Sequence, residues 1–99
     1  MEVFSGKTEG SIELTESLHL QGMVAGNLSV GSKFALIVDG MVTGDLIVAD
    51  DAVVTINGMV HGDVIANGGN IKIYGCVKSV IKNSETAQIW ISENAILTN

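Results

Sequence analysis

The chain has 99 residues, room for one domain, and with 46% hydrophobic and only 16% charged residues, twelve glycines and no proline it is neither collagen-like nor a Pro-rich disordered segment. A formal net charge of −6 argues against a general nucleic-acid binder, which needs a basic surface to displace counterions, and against simple electrostatic adhesion to anionic lipid. A single cysteine, Cys76, excludes an internal disulfide.

Residues 1–5 are expected to form a short N-terminal flank. The stretch Met1–Lys7 lacks the basic and apolar regions of a signal peptide, and no segment approaches the roughly 20 apolar residues of a membrane helix. The expected location is the cytoplasm. From Gly6 a repeat begins. Gly6-Lys7-Thr8-Glu9-Gly10-Ser11-Ile12-Glu13-Leu14 aligns with Gly22-Met23-Val24-Ala25-Gly26-Asn27-Leu28-Ser29-Val30 at a 16-residue offset. The phrase recurs as Gly40-Met41-Val42-Thr43-Gly44-Asp45-Leu46 and Gly58-Met59-Val60-His61-Gly62-Asp63-Val64. A weaker copy is Gly75-Cys76-Val77-Lys78-Ser79-Val80-Ile81. From Gly22 the first glycines lie 18, 18 and 17 residues apart. A fixed period of this size marks a solenoid of stacked coils.

Within residues 12–67 the 28 even positions hold 19 apolar residues, six glycines and only Glu16, Ser32 and Asp50 as polar ones. Alternation with period 2 is a strand signal and makes the even face the core. Val24, Val30, Leu36, Val42, Val48, Val54, Val60 and Ala66 fall every six residues, so three short strands make each coil a triangle. Glu16, Ser32 and Asp50 lead to Gly68 and are read as one polar corner. The inward glycines are read as other corners. After Gly68-Gly69-Asn70 the apolar residues Ile71, Ile73, Val77, Ile81, Ile89 and Ile91 become odd-numbered. A one-residue deletion absorbed in a glycine turn explains the change, because a slip within a strand would turn every side chain to the wrong face. The segment Gln88–Ser92 opens a further coil. The expected fold is all-β: a single-domain parallel β-helix over residues 6–96, with triangular coils of about 16–18 residues, roughly five coils, and residues 97–99 as a C-terminal end.

The alternation Ile56-Asn57-Gly58-Met59-Val60-His61-Gly62-Asp63-Val64-Ile65-Ala66, repeated in each coil, resembles the bactofilin domain over roughly residues 6–96. Bactofilins are polymer-forming bacterial cytoskeletal proteins. The resemblance implies a right-handed β-helix, a cytoplasmic location that can include the inner face of the membrane, and assembly into filaments without nucleotide. It also implies a homopolymer that scaffolds cell shape or protein localisation, with cell-envelope or morphogenesis proteins as further partners and no nucleic acid. The long flexible tails usual in the family are not seen, and membrane attachment stays open.

No catalytic, cofactor-binding or metal-binding set is expected. His19 and His61 are outward and far apart in the stack, and Cys76 has no charged or histidine neighbour in its ladder to make it a nucleophile. Asn27, Asp45 and Asp63 form an outward ladder read as corner chemistry. Met23, Met41 and Met59, continued by Cys76, form a second ladder and a candidate lateral stripe. Ile37, Ile47, Val53 and Ile65 are also outward. Tyr74 and Trp90 are outward aromatics, with Trp90 either covered by residues 93–99 or anchoring a partner.

A solenoid has two open ends, whose edges and apolar layers natural proteins normally protect. No capping helix or proline is seen here, so another copy is expected to serve as the cap. The expected polymer interface is Val3, Phe4, Ile12, Leu14, Ile89, Trp90, Ile91, Ile96 and Leu97. The chief alternative is an acyltransferase of the hexapeptide-repeat type, whose left-handed coils share the 18-residue period. It is disfavoured because no long loop leaves the coils and no acceptor domain fits in 99 residues. A carbohydrate-binding or lyase β-helix would need a secretion signal, aromatic platforms and acidic clusters.

Overall fold

The computed structural model describes residues 1–98; Asn99, part of the expected 97–99 end, lies outside them. Fifteen short strands, numbered in chain order, wind a three-sided solenoid of about five turns, with no helix among the described residues. The first face stacks β1 (Glu2–Phe4), β4 (Leu18–Leu20), β7 (Ala35–Val38), β10 (Val53–Ile56), β12 (Asn70–Ile73) and β14 (Gln88–Ile91). The second stacks β2 (Lys7–Glu9), β5 (Met23–Ala25), β8 (Met41–Val42), the start of β11 (Met59–Ala66), the start of β13 (Cys76–Lys82) and β15 (Ile96–Leu97). The third stacks β3 (Ile12–Glu13), β6 (Leu28–Val30), β9 (Leu46–Val48) and the later halves of β11 and β13. Every pairing is parallel. The third face is thus one strand shorter than the others. The expected 6–96 span lies inside this ladder, to which β1 adds Glu2–Phe4 and β15 adds Leu97.

The even face is the core, as the alternation requires. Val24, Val30, Leu36, Val42, Val48, Val54, Val60 and Ala66 are all buried and visit the three faces in turn. Among the described residues no polar or charged side chain is buried. Glu16, Ser32 and Asp50 sit in exposed bends and turns, the corner between the third face and the first. There Phe34 N–H donates to Gly31 C=O and Ala52 N–H to Ala49 C=O, both at 3.3 Å. The deletion falls where expected. Val48 and Ala66 are partners, as are Val53 and Asn70, so the corner between Ala66 and Asn70 is one residue short. Gly69 closes it at φ 78, the left-handed region where glycine has no Cβ penalty.

A second deletion corrects the reading of the fourth copy. Val60 pairs with Val77, but Asp63 pairs with Ser79, so nothing in the fourth copy corresponds to one residue of His61-Gly62. The bulge restores the original parity. Val80 therefore continues the inward column of Leu46 and Val64, while Ile81, expected inside, stacks outside on Ile65 and is 40% exposed.

The corner between the first and second faces is a ladder of Gly22, Gly40, Gly58 and Gly75. A Cβ on any of the four would overlap the carbonyl oxygen of the glycine one coil below, Gly6 serving for Gly22. The backbone itself occupies the space, so the neighbour has little room to yield. Gly58→Ala is expected to cost about 1–3 kcal/mol of stability through overpacking, read from denaturant unfolding at one fixed protein concentration. Gly6→Ala, whose Cβ would meet only the Phe4 ring at 3.6 Å, serves as the near-neutral control.

Candidate functional site: the two open ends

At the N-terminal end the inward residues of the first coil are Phe4, Thr8 and Ile12, with no coil beneath them. Phe4, Ile12 and Leu18 are only partly buried and pack on the core from below, while Leu14 at 9% exposure belongs to the core itself. Phe4, Thr8, Ile12, Leu18, Val24 and Leu28 line an apolar recess of about 190 Å³. The recess lies where the first coil has no coil beneath it, and Thr8 brings a hydroxyl to a column otherwise filled by Val24, Val42, Val60, Val77 and Leu97. Val3 belongs to the outward column of His19 and Ile37 and is 56% exposed.

At the C-terminal end Ile89, Ile91 and Leu97 continue inward columns, and Ile91 and Leu97 are each 41% exposed because nothing stacks on them. Trp90 and Ile96 continue outward columns, at 51% and 59% exposure. Trp90 leans on Tyr74, with ring centroids 5.2 Å apart and planes tilted by 57°. The segment after Ile91 runs to the second face instead of folding over the indole. On the third face the last strand leaves Val80 half-buried and places Lys82 in the inward column of Val48 and Ala66, open to solvent. Thr8, Leu18, Val80 and Lys82 are end residues that sequence reasoning does not single out. For the last two no sequence signal suffices, since Val80 and Ile81 fit either parity and the shift of register after Val60 is what reveals them.

The flanks are less apolar than the alternation suggested. Met23, Met41, Met59 and Cys76 stack as expected on the second face, but all four are half-buried, as are Ile37, Ile47 and Ile65. The outward isoleucines also fall on different faces: Ile37 on the first, Ile47 and Ile65 on the third. The large apolar side chains that remain exposed are mostly at the ends. Met1 and Val3 mark one end, Ile81, Trp90, Ile91, Ile96 and Leu97 the other; Tyr74 lies beside Trp90, and Val53 alone stands mid-stack.

The polar groups of the flanks are used by the fold. Asp45 N–H donates to Asn27 Oδ1 and Asp63 N–H to Asp45 Oδ1, each at 2.8 Å, and Ser79 Oγ donates to Asp63 Oδ1. Each side chain thus caps the coil above it at the corner between the second and third faces, the role expected for this ladder. At the neighbouring corner Asp39 contacts His19 Nε2 and accepts a 2.9 Å bond from Asn57 Nδ2. The hydrogen bond with His19, then that from Asn57, hold the Asp39 carboxyl below its ordinary range against a small opposing desolvation. His61 Nε2 lies against Met59 Sδ on another face, far from His19 in the chain's winding. Among the described residues no group of three His, Cys, Asp or Glu converges as metal ligands, and no helix is long and apolar enough to cross a membrane. A shallow polar groove at the shortened corner, lined by Asp50, Asp51, Asn67, Asn70, Ser84 and Thr86, contains hydroxyls and carboxylates but no histidine or cysteine.

A family model described as "Bactofilin: Polymer-forming cytoskeletal" matches residues 4–98. No curated protein and no solved structure matches the chain.

The cap ladder and the Asp39 cluster give two expected outcomes. Asp45→Ala removes the acceptor for Asp63 N–H and is expected to cost about 1 kcal/mol, whereas Asp45→Asn keeps an amide oxygen, as Asn27 already supplies one, and is expected to be near neutral in the same denaturation assay. A depressed carboxyl pKa stabilises the fold above the ordinary aspartate value, and that contribution is lost as pH falls through the lower folded value. Asp39→Asn should therefore flatten the decline in thermal midpoint on acidification from pH 5 to pH 2, relative to the parent chain.

Proposed function

This chain belongs to the bactofilin family of polymer-forming cytoskeletal proteins, and on that premise we propose that it assembles with itself by stacking solenoid ends, without nucleotide. The observation that carries the reading is the segregation of exposed apolar side chains to the two ends of an otherwise covered stack. Terminal strands also offer rows of unpaired N–H and C=O groups, and a second solenoid has the matching rows at the same spacing. Pairing plus apolar burial is a sufficient driving force, so no bound phosphate or metal enters the account.

Magnitudes favour a joint made of many contacts. Completing the burial of one half-exposed Ile, Leu or Val contributes about 1 kcal/mol, against an association cost of several kcal/mol. Phe4, Ile12, Leu18, Ile91, Trp90 and Leu97 must therefore act together with the strand edges, and one charge among them removes more than it replaces. The stacked product is read as a scaffold for cell shape or protein localisation, in the cytoplasm or at the inner face of the membrane, with cell-envelope or morphogenesis proteins as clients. The half-buried ladder of Met23, Met41 and Met59 is read as a lateral contact between filaments. The protein is read as structural and not enzymatic, since its polar groups are engaged in corners and caps.

Phe4→Asp combined with Ile91→Asp is expected to convert filaments into small particles in negative-stain microscopy and sedimentation. Met41→Glu is expected to leave filament length unchanged while reducing bundling. Filaments that persist with charges at both ends would sink the end-stacking reading, and a strict requirement for added nucleotide would sink its energetic basis.

A further inference from the structure

We propose that the second face carries a binding site for a soft monovalent cation, Cu(I), built from Met59, His61 and Cys76 with Met41 as a further donor. The site is independent of how copies assemble, because every ligand lies on one chain. Two arrangements meet at Met59. Across the coil, His61 Nε2 stands 2.9 Å from Met59 Sδ. Along the stack, Met59 is in register with Met41 on one side and Cys76 on the other. Neighbouring strands lie about 4.8 Å apart, so the three sulfur side chains leave the face side by side, with the imidazole next to the middle one.

The repeat singles out this coil. Two residues after Met23, Met41 and Met59 stand Ala25, Thr43 and His61. Only the third of these copies therefore sets a nitrogen donor beside the sulfur column, and the coil stacked on it is the one where cysteine replaces methionine. The fold itself has no need of an imidazole there, since Ala25 and Thr43 fill the equivalent places. His61 is exposed, while Met41, Met59 and Cys76 are half-buried, so the donors are reachable from solvent and their stems rest on the sheet. A thioether is a weak hydrogen-bond acceptor, and 2.9 Å is the length of an ordinary N–H···O bond. The larger sulfur gains little from so close an approach, whereas a shared cation uses both atoms. At ligand distances of about 2.0–2.3 Å, nitrogen and sulfur have only to part slightly, and the exposed ring can turn to allow it.

The donors select the metal. Thiolate and thioether sulfurs favour Cu(I) and imidazole also suits copper, whereas Ca²⁺ and Mg²⁺ take oxygen ligands. The carboxylates of the next corner are engaged elsewhere: Asp45 Oδ1 accepts from Asp63 N–H, and Asp63 Oδ1 from Ser79 Oγ. The set differs from the His, Cys, Asp and Glu groupings absent among the described residues, because two of its four donors are methionine sulfurs. Cys76 binds as the thiolate. Its S–H proton passes to solvent, the sulfur forms the bond to the metal, and copper stays Cu(I) throughout. The bound Cu(I)–thiolate unit has no net charge, so Lys78, exposed in the coil stacked on His61, is no barrier to it.

The test is a competition for Cu(I) between the full chain and a chromophoric chelator, with ascorbate under nitrogen keeping the metal reduced and circular dichroism checking each variant for retained β structure. The parent chain is expected to withdraw one copper per chain. Met59→Leu, which conserves volume, His61→Gln and Cys76→Ser are each expected to weaken binding about tenfold or more, since losing a ligand costs at least what losing its outer-shell partner does. Met23→Leu, two coils from Met59, is expected to bind as the parent does. A parent chain that withdraws no copper would overturn the site. Loss confined to Cys76→Ser would overturn it as well, by reducing it to a lone thiol, and so would equal weakening by Met23→Leu, which marks diffuse binding along the methionine ladder. Zinc held more tightly than Cu(I) would overturn the choice of a soft cation. As a second readout, X-ray absorption at the copper edge should show nitrogen and sulfur together around the metal in the parent and lose the nitrogen in His61→Gln; an unchanged spectrum would remove His61 from the site.

Discussion

The backbone spacing between parallel strands, about 4.8 Å, is the constraint that the rest of the molecule obeys. Each coil must return to the same place one strand higher, so a residue's environment is set by the residue one coil below it. Where the chain turns from the first face to the second, that neighbour is a carbonyl oxygen, and glycine is the side chain that fits. Where it turns from the second to the third, the neighbour is a side-chain oxygen, and an N–H meets it. Inside, the neighbour is an aliphatic group, and Val, Leu, Ile and Ala fill the triangle with no polar side chain buried among the described residues. Composition, period and alternation are three expressions of that one interval.

The same constraint explains why so much of the fold is legible in the sequence. A side chain that must match its neighbours above and below repeats at the coil length, and a period of 18 with alternation inside it survives even where individual residues change. The first deletion is legible because Gly68-Gly69 sits at a corner and the apolar parity changes after it. The second is not, since Val80 and Ile81 are adjacent apolar residues and satisfy either parity. Only the pairing of Asp63 with Ser79 decides which one faces in. The His19–Asp39 contact is hidden for a related reason: its partners lie 20 residues apart, in different columns, so no ladder announces it. Thr8 is visible as a departure from valine, but the recess beside it comes from the absence of a coil beneath, which no residue type announces.

The function proposed for this molecule lies where the repeat fails to satisfy itself. In the interior coils, hydrogen bonds, caps and apolar contacts are all met by the coils on either side, and the flanks keep few large apolar groups in solvent. At the ends the same residue types, in the same columns, lack a partner. The match to a polymer-forming family over residues 4–98 agrees with that distribution, because a polymer needs unsatisfied ends and a satisfied middle.

The third face, one strand shorter than its neighbours, has a mechanical meaning. Hydrogen bonds between coils run along the solenoid axis, so a lengthwise pull loads all three faces together wherever the coils are complete. If copies stack end to end as proposed, the joint would carry tension through two faces and leave the third slack. Such a rod would yield first at its joints, and it would bend there by opening or closing the slack side. Its breaking points and preferred bend would then recur at intervals of one molecule.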